Sequence, residues 1–350
     1  MPNIYDRGTW RARRELPQVI NCTFSFLDLR CAISFNINAT SGSTISPILT
    51  ALKNFLFRAI GALPLRINHT LGALLGWLAW CLSPRYRRIM RENIAQFLTA
   101  ARSTKLTLNA TIAEQGRGVS ELAIAWTAPI KTLYSLVSEC DGWEHVAAAK
   151  SAGHAIIFVT PHLGCYDIGG RYLESRIPVV ALYQRPKQAW LEPLMQAGRV
   201  RGGGSTARAD ASGVRILLRT LKQGGNIVML PDQVPAPQDG KTGGKADGVW
   251  ANFFARPAYT MTLLPRLAET THAAVLFFFA ERLTQGRGYK MHIFPMTEPF
   301  STDKNIAARQ TNAMVEKLIL MCPQQYLWGY NRYKHPAGAP LPPATINDVT

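Results

Sequence analysis

The stretch His154–Asp167, HAIIFVTPHLGCYD, decides the fold of this chain. Its first part, His154–Thr160, is a short apolar run, which predicts a buried β-strand. Pro161 to Cys165 then favour a turn, and Tyr166–Ser175 is predicted to be a helix. A buried strand that leads through a turn into a helix is the repeating unit of an α/β fold.

The chain beyond residue 85 alternates in the same way. The last two predicted strands are expected to form an antiparallel pair, and residues 231–249 a loop rich in Gly, Pro and Lys. The alternation predicts an α/β fold with a mostly parallel central sheet flanked by helices. The predicted helices are Arg87–Thr99, Glu114–Tyr134, Trp190–Ala197, Ala211–Lys222 and Tyr259–Glu269, and the predicted strands are Pro178–Tyr183, Asn226–Leu230, Ala273–Ala280 and Tyr289–Phe294.

The composition sets broad limits on function. The chain has 350 residues, of which 47% are hydrophobic, so a large core can form in one α/β domain with appendages or in two domains. The net charge of +17 attracts nucleic acid, anionic lipid or an acidic protein. No Cys-x-x-Cys pair supports a zinc or iron–sulfur site, and no phosphate-binding glycine motif of a nucleotide enzyme occurs. The six cysteines are therefore expected to be reduced and buried.

Residues 1–47 differ from the rest of the chain. Four arginines near the start are followed by a stretch rich in Ser, Thr and Asn, without the apolar run or cleavage site of a secretory signal. The segment is interpreted as a poorly ordered extension, or as upstream sequence from a misplaced start codon.

Residues 48–84 predict an apolar N-terminal membrane-anchor helix. Ile67 to Pro84 contains no Asp, Glu, Lys or Arg, and Trp77 and Trp80 suit a membrane interface. A basic cluster follows at once. Cations beside an apolar segment favour anionic headgroups on the cytoplasmic side. A buried core helix is the alternative, and the choice between spanning the bilayer and lying in its interface stays open. The cluster consists of Arg85, Arg87, Arg88 and Arg91.

His162 and Asp167 are the candidate catalytic pair. Their separation of five residues lets them meet only if the chain turns between them, as Pro161 and Gly164 permit. The carboxylate of Asp167 would then hold one ring N–H of His162 and leave the other nitrogen free as a base. A packed histidine beside a helix-capping aspartate is the alternative. Cys165, within the turn, is interpreted as a packing residue.

Basic residues are frequent between residues 185 and 222. Arg199 and Arg201 lie in a Gly-rich segment that suits binding of phosphate or carboxylate. The others after them are interpreted as a solvated helix face, and these are Arg208, Arg215, Arg219 and Lys222.

Sequence blocks from about Phe55 to Pro336 resemble the bacterial lipid A biosynthesis acyltransferases, the late lauroyl and myristoyl transferases. The blocks are the apolar anchor, RYRRIMRENI, TPHLGCYD, YQRP, GRVRGG, LPDQVP, GVWANFFARPAYTMTLLPRLAE and YLWGYNRYKHP. The His-x4-Asp core alone is shared with glycerolipid acyltransferases. The resemblance implies a glycerolipid-acyltransferase-like domain over residues 85–340, followed by a tail at 341–350.

The resemblance also implies the reaction. The donor would be an acyl-carrier-protein thioester, with no further cofactor and no metal, and the acceptor a hydroxyl of a lipid A precursor. The site would lie on the cytoplasmic face of the bacterial inner membrane and bind no nucleic acid. His162 would be the general base and Asp167 its orienting partner. A lysophosphatidate acyltransferase and a non-catalytic lipid-binding membrane protein are the alternatives. The residues expected to bind substrate are Arg199, Arg201, Gly164 and Asp232, with the oxyanion held by backbone amides near Gly164 or by an arginine.

Overall fold

The computed structural model describes residues 45–102, 106–186, 188–235, 247–343 and 346. Most of the predicted N-terminal extension, part of the 231–249 loop and part of the tail therefore lie outside the described residues. The helices are α1 (Ile45–Gly61), α2 (Leu65–Leu82), α3 (Pro84–Ala101), α4 (Leu108–Thr127), α5 (Ile130–Ser135), α6 (Trp143–Ser151), α7 (Tyr166–Glu174), α8 (Leu191–Val200), α9 (Ala211–Lys222), α10 (Leu263–Thr271) and α11 (Lys304–Met321). The strands are β1 (Val137–Asp141), β2 (Ile156–Val159), β3 (Val180–Tyr183), β4 (Ser205–Arg208), β5 (Asn226–Met229), β6 (Gly248–Phe253), β7 (Arg256–Met261), β8 (Ala274–Arg282) and β9 (Tyr289–Pro295).

Within the described chain, a seven-stranded sheet has the order β1-β9-β8-β2-β5-β3-β4, and β6 and β7 form a separate hairpin. Neighbouring strands are parallel except for β8 and β9. The prediction of a mostly parallel α/β sheet flanked by helices is confirmed, and so is the antiparallel final pair. The central strand β2 divides the core, because Ile157 and Val159 pack into one apolar cluster and Ile156 and Phe158 into another.

Three predictions about elements were wrong or incomplete. Tyr259–Glu269 is not one helix, since its first residues belong to strand β7. Glu114–Tyr134 is not continuous either, because Pro129 holds Ala128 extended and separates α4 from α5. The edge strands β1 and β4 have the sequences VSECD and STAR, which lack the apolar run that marks a buried strand.

The predicted anchor segment forms two helices instead of one. Pro64 follows α1 and precedes α2, and no helix of the described residues is long and apolar enough to cross a membrane. Helix α2 packs on α4 through glycines, since a Cβ at Gly72 or Gly76 would lie within 3 Å of the α4 backbone. Its polar Asn68 and His69 face α4 and are buried. Several apolar side chains of this segment instead face outward, whereas Trp80 is buried in the core. The exposed ones are Phe55, Leu56, Ile67, Leu74, Trp77, Leu78 and Leu82.

Candidate active site

The candidate site lies where two neighbouring parallel strands end. Strands β2 and β5 pair in register, with Val159 opposite Met229. His162 and Asp232 each follow their strand's last residue by three positions. Because parallel strands end at the same edge of the sheet, the two side chains meet there, at the edge where ligands bind in open α/β sheets.

Asp232 is the partner of the His162 ring. The ring atom Nδ1 lies 2.8 Å from Asp232 Oδ1, and the backbone N–H of His162 donates to Asp232 Oδ2 at 2.9 Å. An ionised carboxylate only accepts, so Nδ1 carries the proton and Nε2 is left with its lone pair. The amide of Gln233 donates to Nε2 at 3.1 Å. This arrangement gives the imidazole the tautomer and orientation of a general base.

Asp232 is held in its charged form although it is buried. Burial by itself opposes ionisation, but the ring and backbone of His162, together with Arg332, lower the pKa of Asp232 below its ordinary value. Arg332 is fixed in turn by the carbonyl oxygen of Tyr259 at 2.7 Å and the hydroxyl of Thr260 at 2.8 Å. A stable anion at Asp232 is the electrostatic condition for stabilising a protonated His162.

The prediction that Asp167 orients His162 was wrong. Asp167 lies in the first turn of α7, where it accepts two hydrogen bonds from Arg199, from Nε at 2.9 Å and from Nη2 at 3.1 Å. The indole N–H of Trp126 donates to the same carboxylate at 3.2 Å. The physical reason is that Asp167 points toward α4 and α8, whereas the strand register places Asp232 beneath the imidazole.

Arg199 lies in the last turn of α8, and the chain around it is helical instead of the Gly-rich turn that was expected. Burial lowers the pKa of Arg199, but Asp167 above all, with Tyr166 and Glu174, raises it above its ordinary value, so the guanidinium stays charged. Arg171 supports it from below by donating to the backbone carbonyls of Gly198 and Arg199. The structure therefore brings Asp167 and Arg199 together, as a buried ion pair beside residues 161–165, the turn that carries His162 (the histidine turn).

Gly164 and Arg201 do not have the geometry that their predicted roles need. The N–H of Gly164 donates to the carbonyl of Gln325 at 3.2 Å, and that of Cys165 to Ala280 at 2.9 Å, so these amides are already used. Gly164 has a φ of +61°, and a Cβ there would lie 2.0 Å from the carbonyl oxygen of Ala280. Arg201 donates to the carbonyl of Ala128 at 2.8 Å and so joins α8 to the end of α4. Two kinds of ligand were expected for the oxyanion, backbone amides near Gly164 or an arginine side chain. Because the amides of Gly164 and Cys165 are already bonded, the arginine is the one that stays available.

A cavity of ≈ 30 Å³ adjoins the histidine turn. Its polar wall comes from Thr160, Tyr166, Asp167 and Arg199, and its apolar wall from strands β3 and β5. The ring of Tyr166 packs edge-on against that of His162, with centroids 5.0 Å apart. The guanidinium of Arg199 thus borders an empty space whose wall also includes Tyr166, the residue that packs against the His162 ring.

Other reactive groups near the site are excluded by their surroundings. Cys165 is buried as expected, and burial raises the pKa of its thiol well above the ordinary value, so it is no nucleophile. Among the described residues, no three His, Cys, Asp or Glu side chains are grouped closely enough to hold a metal ion.

Sequence reasoning did not assign roles to Gln233 and Trp126, and it placed Asp232 among the substrate-binding residues. One signal in the sequence points to Asp232. The four-residue apolar strands IIFV and NIVM are each followed, after two residues, by a polar side chain. Equal offsets from two neighbouring parallel strands predict that His162 and Asp232 meet. For Trp126 no comparable signal exists, since it lies 41 residues from Asp167 on another helix.

Comparison with known proteins identifies the family of this chain. A family described as bacterial lipid A biosynthesis acyltransferase matches residues 39–335. The chain is 26% identical over 284 residues to the lipid A biosynthesis lauroyltransferase of Escherichia coli (strain K12), covering 79% of this chain and 89% of that protein. It is also 26% identical over 278 residues to the palmitoleoyltransferase of the same organism, covering 78% and 86%. A lipid A biosynthesis acyltransferase of Shigella flexneri matches with the same identity and coverage.

The match extends over most of the described chain and includes the histidine turn and both aspartates. The protein therefore belongs to the bacterial lipid A biosynthesis acyltransferase family, and it is an acyltransferase. The resemblance that the motifs indicated is confirmed.

Proposed function

We propose that this protein transfers a fatty acyl chain from an acyl-carrier-protein thioester to a hydroxyl of a lipid A precursor in lipopolysaccharide biosynthesis. The observation that carries the proposal is the His162–Asp232 pair at the carboxyl ends of β2 and β5, in a chain that belongs to this family. The pair supplies a base without an enzyme nucleophile, which suits a donor that is already activated as a thioester.

The reaction needs one proton to move twice. Nε2 of His162 takes the proton of the acceptor hydroxyl while the oxygen attacks the thioester carbonyl carbon. Asp232 stabilises the imidazolium that forms. The tetrahedral intermediate then breaks its carbon–sulfur bond, and the departing thiolate takes the proton back from Nε2. Gln233 has to release Nε2 before the acceptor hydroxyl can bind there.

Arg199 is the proposed ligand of the developing oxyanion. It is charged, it is held by Asp167, and it borders the cavity beside the histidine turn. A preorganised cation at this place stabilises negative charge that forms on the thioester oxygen, an effect worth ~10²–10³ in rate for a single donor. Asp167 would then act through Arg199, as a positioning residue.

Helices α1 and α2 are the proposed membrane-binding surface, on the cytoplasmic face of the bacterial inner membrane. Leu74 is 63% exposed and Leu78 is 50% exposed, on helix α2, whose Asn68 and His69 are buried against α4. This is the reverse of the usual arrangement for a surface helix, and it suits a helix that lies in a lipid interface. In the basic cluster, Arg87 caps α2 by donating to the carbonyls of Trp80 and Cys81.

Vesicle binding tests the membrane proposal. Replacing Leu74 and Leu78 by Ser is expected to weaken binding to vesicles of phosphatidylethanolamine and phosphatidylglycerol by about tenfold or more, because each buried leucine contributes ~1.5–3 kcal/mol. Leu341→Ser is the control, since Leu341 is 84% exposed outside the patch. Equal binding by all three proteins in a sedimentation assay would argue against this surface.

A reconstituted assay tests the reaction. The purified protein is given acyl-carrier-protein thioesters of several chain lengths and a lipid A precursor, and the product is identified by mass spectrometry. His162→Ala is expected to lower turnover by ~10²–10⁴ while leaving the circular-dichroism spectrum unchanged. Near wild-type turnover by this variant would refute the role of His162 as base. Lipid A from a deletion strain should lack one secondary acyl chain.

A further inference from the structure

A second cavity, of ≈ 580 Å³, lies outside the site described above. It is open on one side and bounded by the start of α2, by α4, and by the turn between β8 and β9. It is large enough for a sugar carrying a phosphate, since small-molecule sites occupy ~300–1,000 Å³. Its lining residues are Arg66, His69, Thr70, Glu114, Arg117, Arg282, Leu283, Thr284, Gln285, Gly286 and Gln325.

The floor of this cavity is a closed ion-pair network. Arg282 is buried, and each nitrogen of its guanidinium group donates a hydrogen bond, Nε and Nη2 to Glu121 and Nη1 to Glu114. Glu121 also accepts from the hydroxyl of Tyr289 at 2.7 Å and lies 2.7 Å from Nε2 of His69. Burial opposes the charge of Glu121, yet Arg282 above all lowers the pKa of Glu121 to about 2. The floor is therefore held in place by its own ion pairs.

The rim, in contrast, carries arginine donors that the protein does not use. Arg66 donates from Nε to the carbonyl of Gln285 at 2.7 Å, and its two Nη atoms bond to no acceptor among the described residues. Arg117 pairs through Nη1 with Glu114, and its buried Nε has no partner in the described part of the chain. With Arg282, three guanidinium groups stand against Glu114 and Glu121, which leaves one positive charge in excess.

The turn between β8 and β9 is shaped to fit Arg66. Gln285 and Gly286 both have left-handed backbone conformations, with φ of +59° and +67°. A Cβ at Gly286 would lie 2.5 Å from Cγ of Arg66, so glycine is needed for this close approach. The position of Arg66 at the rim is thus fixed by the fold.

The cavity is joined to the catalytic turn. Gln325 accepts from the N–H of Gly164 through its backbone carbonyl, and its side-chain amide binds both backbone groups of Arg282. Gly164 also bridges to Ala280, two residues before Arg282 on β8. A ligand in the cavity therefore sits beside the histidine turn, on the same edge of the sheet.

The cavity also opens toward the proposed membrane surface. Arg66 and Thr70 lie on the same face of α2 as Leu74 and Trp77, at intervals of three or four residues, and all four are exposed. A lipid whose chains contact Leu74 and Trp77 would present its polar headgroup to Arg66.

We propose that this cavity binds a phosphate monoester on the headgroup of the lipid acceptor, through Arg66 and Arg117. The assignment rests on the proposed function for the identity of the acceptor. Arginine donors in a fixed fork suit the oxygens of a phosphate dianion, and one excess positive charge complements it. Binding there would hold the sugar so that its hydroxyl reaches Nε2 of His162.

The test compares two acceptors, the phosphorylated lipid A precursor and the same lipid after phosphatase treatment. The wild type should show a KM for the phosphorylated acceptor about tenfold or more below that for the dephosphorylated one, because a charge-assisted hydrogen bond contributes this much or more. In Arg66→Gln and Arg117→Gln the two KM values should converge, with kcat and the KM for acyl-carrier protein unchanged. Arg66→Lys should retain part of the preference for the phosphorylated acceptor. Arg219→Gln is the control and should retain all of this preference, because Arg219 is an exposed residue on α9.

Three results would overturn the assignment. Wild-type KM values in both arginine variants would remove these residues from acceptor binding. A raised KM for acyl-carrier protein alone would make the cavity a carrier-protein site, and inorganic phosphate that binds as tightly as the lipid would make it a site for free phosphate. Co-sedimentation of each acceptor with the protein in mixed micelles measures binding directly and does not require acyl transfer. It therefore still tests the cavity if the wild type fails to transfer acyl groups, a failure that would count against the proposed function instead.

Discussion

The histidine turn separates two aspartate-centred pairs, His162–Asp232 on the side of β5 and Asp167–Arg199 on the side of α7 and α8. Both carboxylates are buried and both have a basic partner within 3 Å. They differ in what that partner can do. An imidazole exchanges a proton near neutral pH, whereas a guanidinium stays charged throughout. One pair is therefore able to move a proton, and the other provides a fixed charge.

The two pairs show that a short separation within a sequence motif does not identify which residues are in contact. Asp167 is five residues from His162 and contacts Arg199 and Trp126, whereas Asp232 is 70 residues from His162 and holds its ring. The local chain decides only that a turn exists. The pairing of β2 with β5 decides which carboxylate lies under the imidazole.

Asp232→Asn should have the largest effect on activity. An amide in place of the carboxylate cannot stabilise the imidazolium and can favour the wrong tautomer, so kcat is expected to fall by ~10²–10⁴. Asp210→Asn is the matched control, since Asp210 only caps α9 and asparagine caps equally well. If turnover by Asp232→Asn stayed within a few-fold of wild type, Asp232 would not be the partner of the base.

Asp167→Asn should mainly lower stability. It leaves the charge of Arg199 buried with a poorer partner, and breaking such a pair costs about 3 kcal/mol in the free energy of unfolding, measured with urea. Turnover should fall by less than in Asp232→Asn, and the pH dependence of kcat should keep its wild-type shape, because His162 retains Asp232. A shifted pH profile would show instead that Asp167 acts on the base directly.

Glu174→Gln should have a smaller effect, on how the free energy of unfolding changes with pH. Burial is the main cause that raises the pKa of Glu174 to about 7, from 4.5, although Arg171 opposes the shift. The folded protein thus binds this proton more tightly than the unfolded chain, and stability is lost as the pH rises from about 4.5 to 7.

The wild type should lose ~2 kcal/mol in the free energy of unfolding over that interval through this group, and Glu174→Gln should lose less. Urea unfolding at both ends of the interval measures the difference. Glu144→Gln, with a side chain that is 74% exposed, is the control. The same pH dependence in all three proteins would contradict the assignment.

The buried strands were predictable because a four-residue apolar run on a central parallel strand has no other stable place. Strands β2 and β5 are of this kind, and the longer strands β8 and β9 were predicted from their own apolar runs. The edge strands β1 and β4 were missed, since one side of each faces solvent or a helix end and their residues are mixed. The anchor segment was predicted as one helix, and the structure divides it at Pro64.

The sequence by itself determined the α/β class, the strand–turn–helix around His162, and membership of the acyltransferase family, because these depend on local runs of residues and on motif order. Only the tertiary structure decided that Asp232 holds the imidazole, that Asp167 binds both Arg199 and Trp126, and that Arg66 meets a turn 219 residues away. Those contacts arise from strand register and helix packing, which bring distant segments together and leave no periodic signal in the sequence.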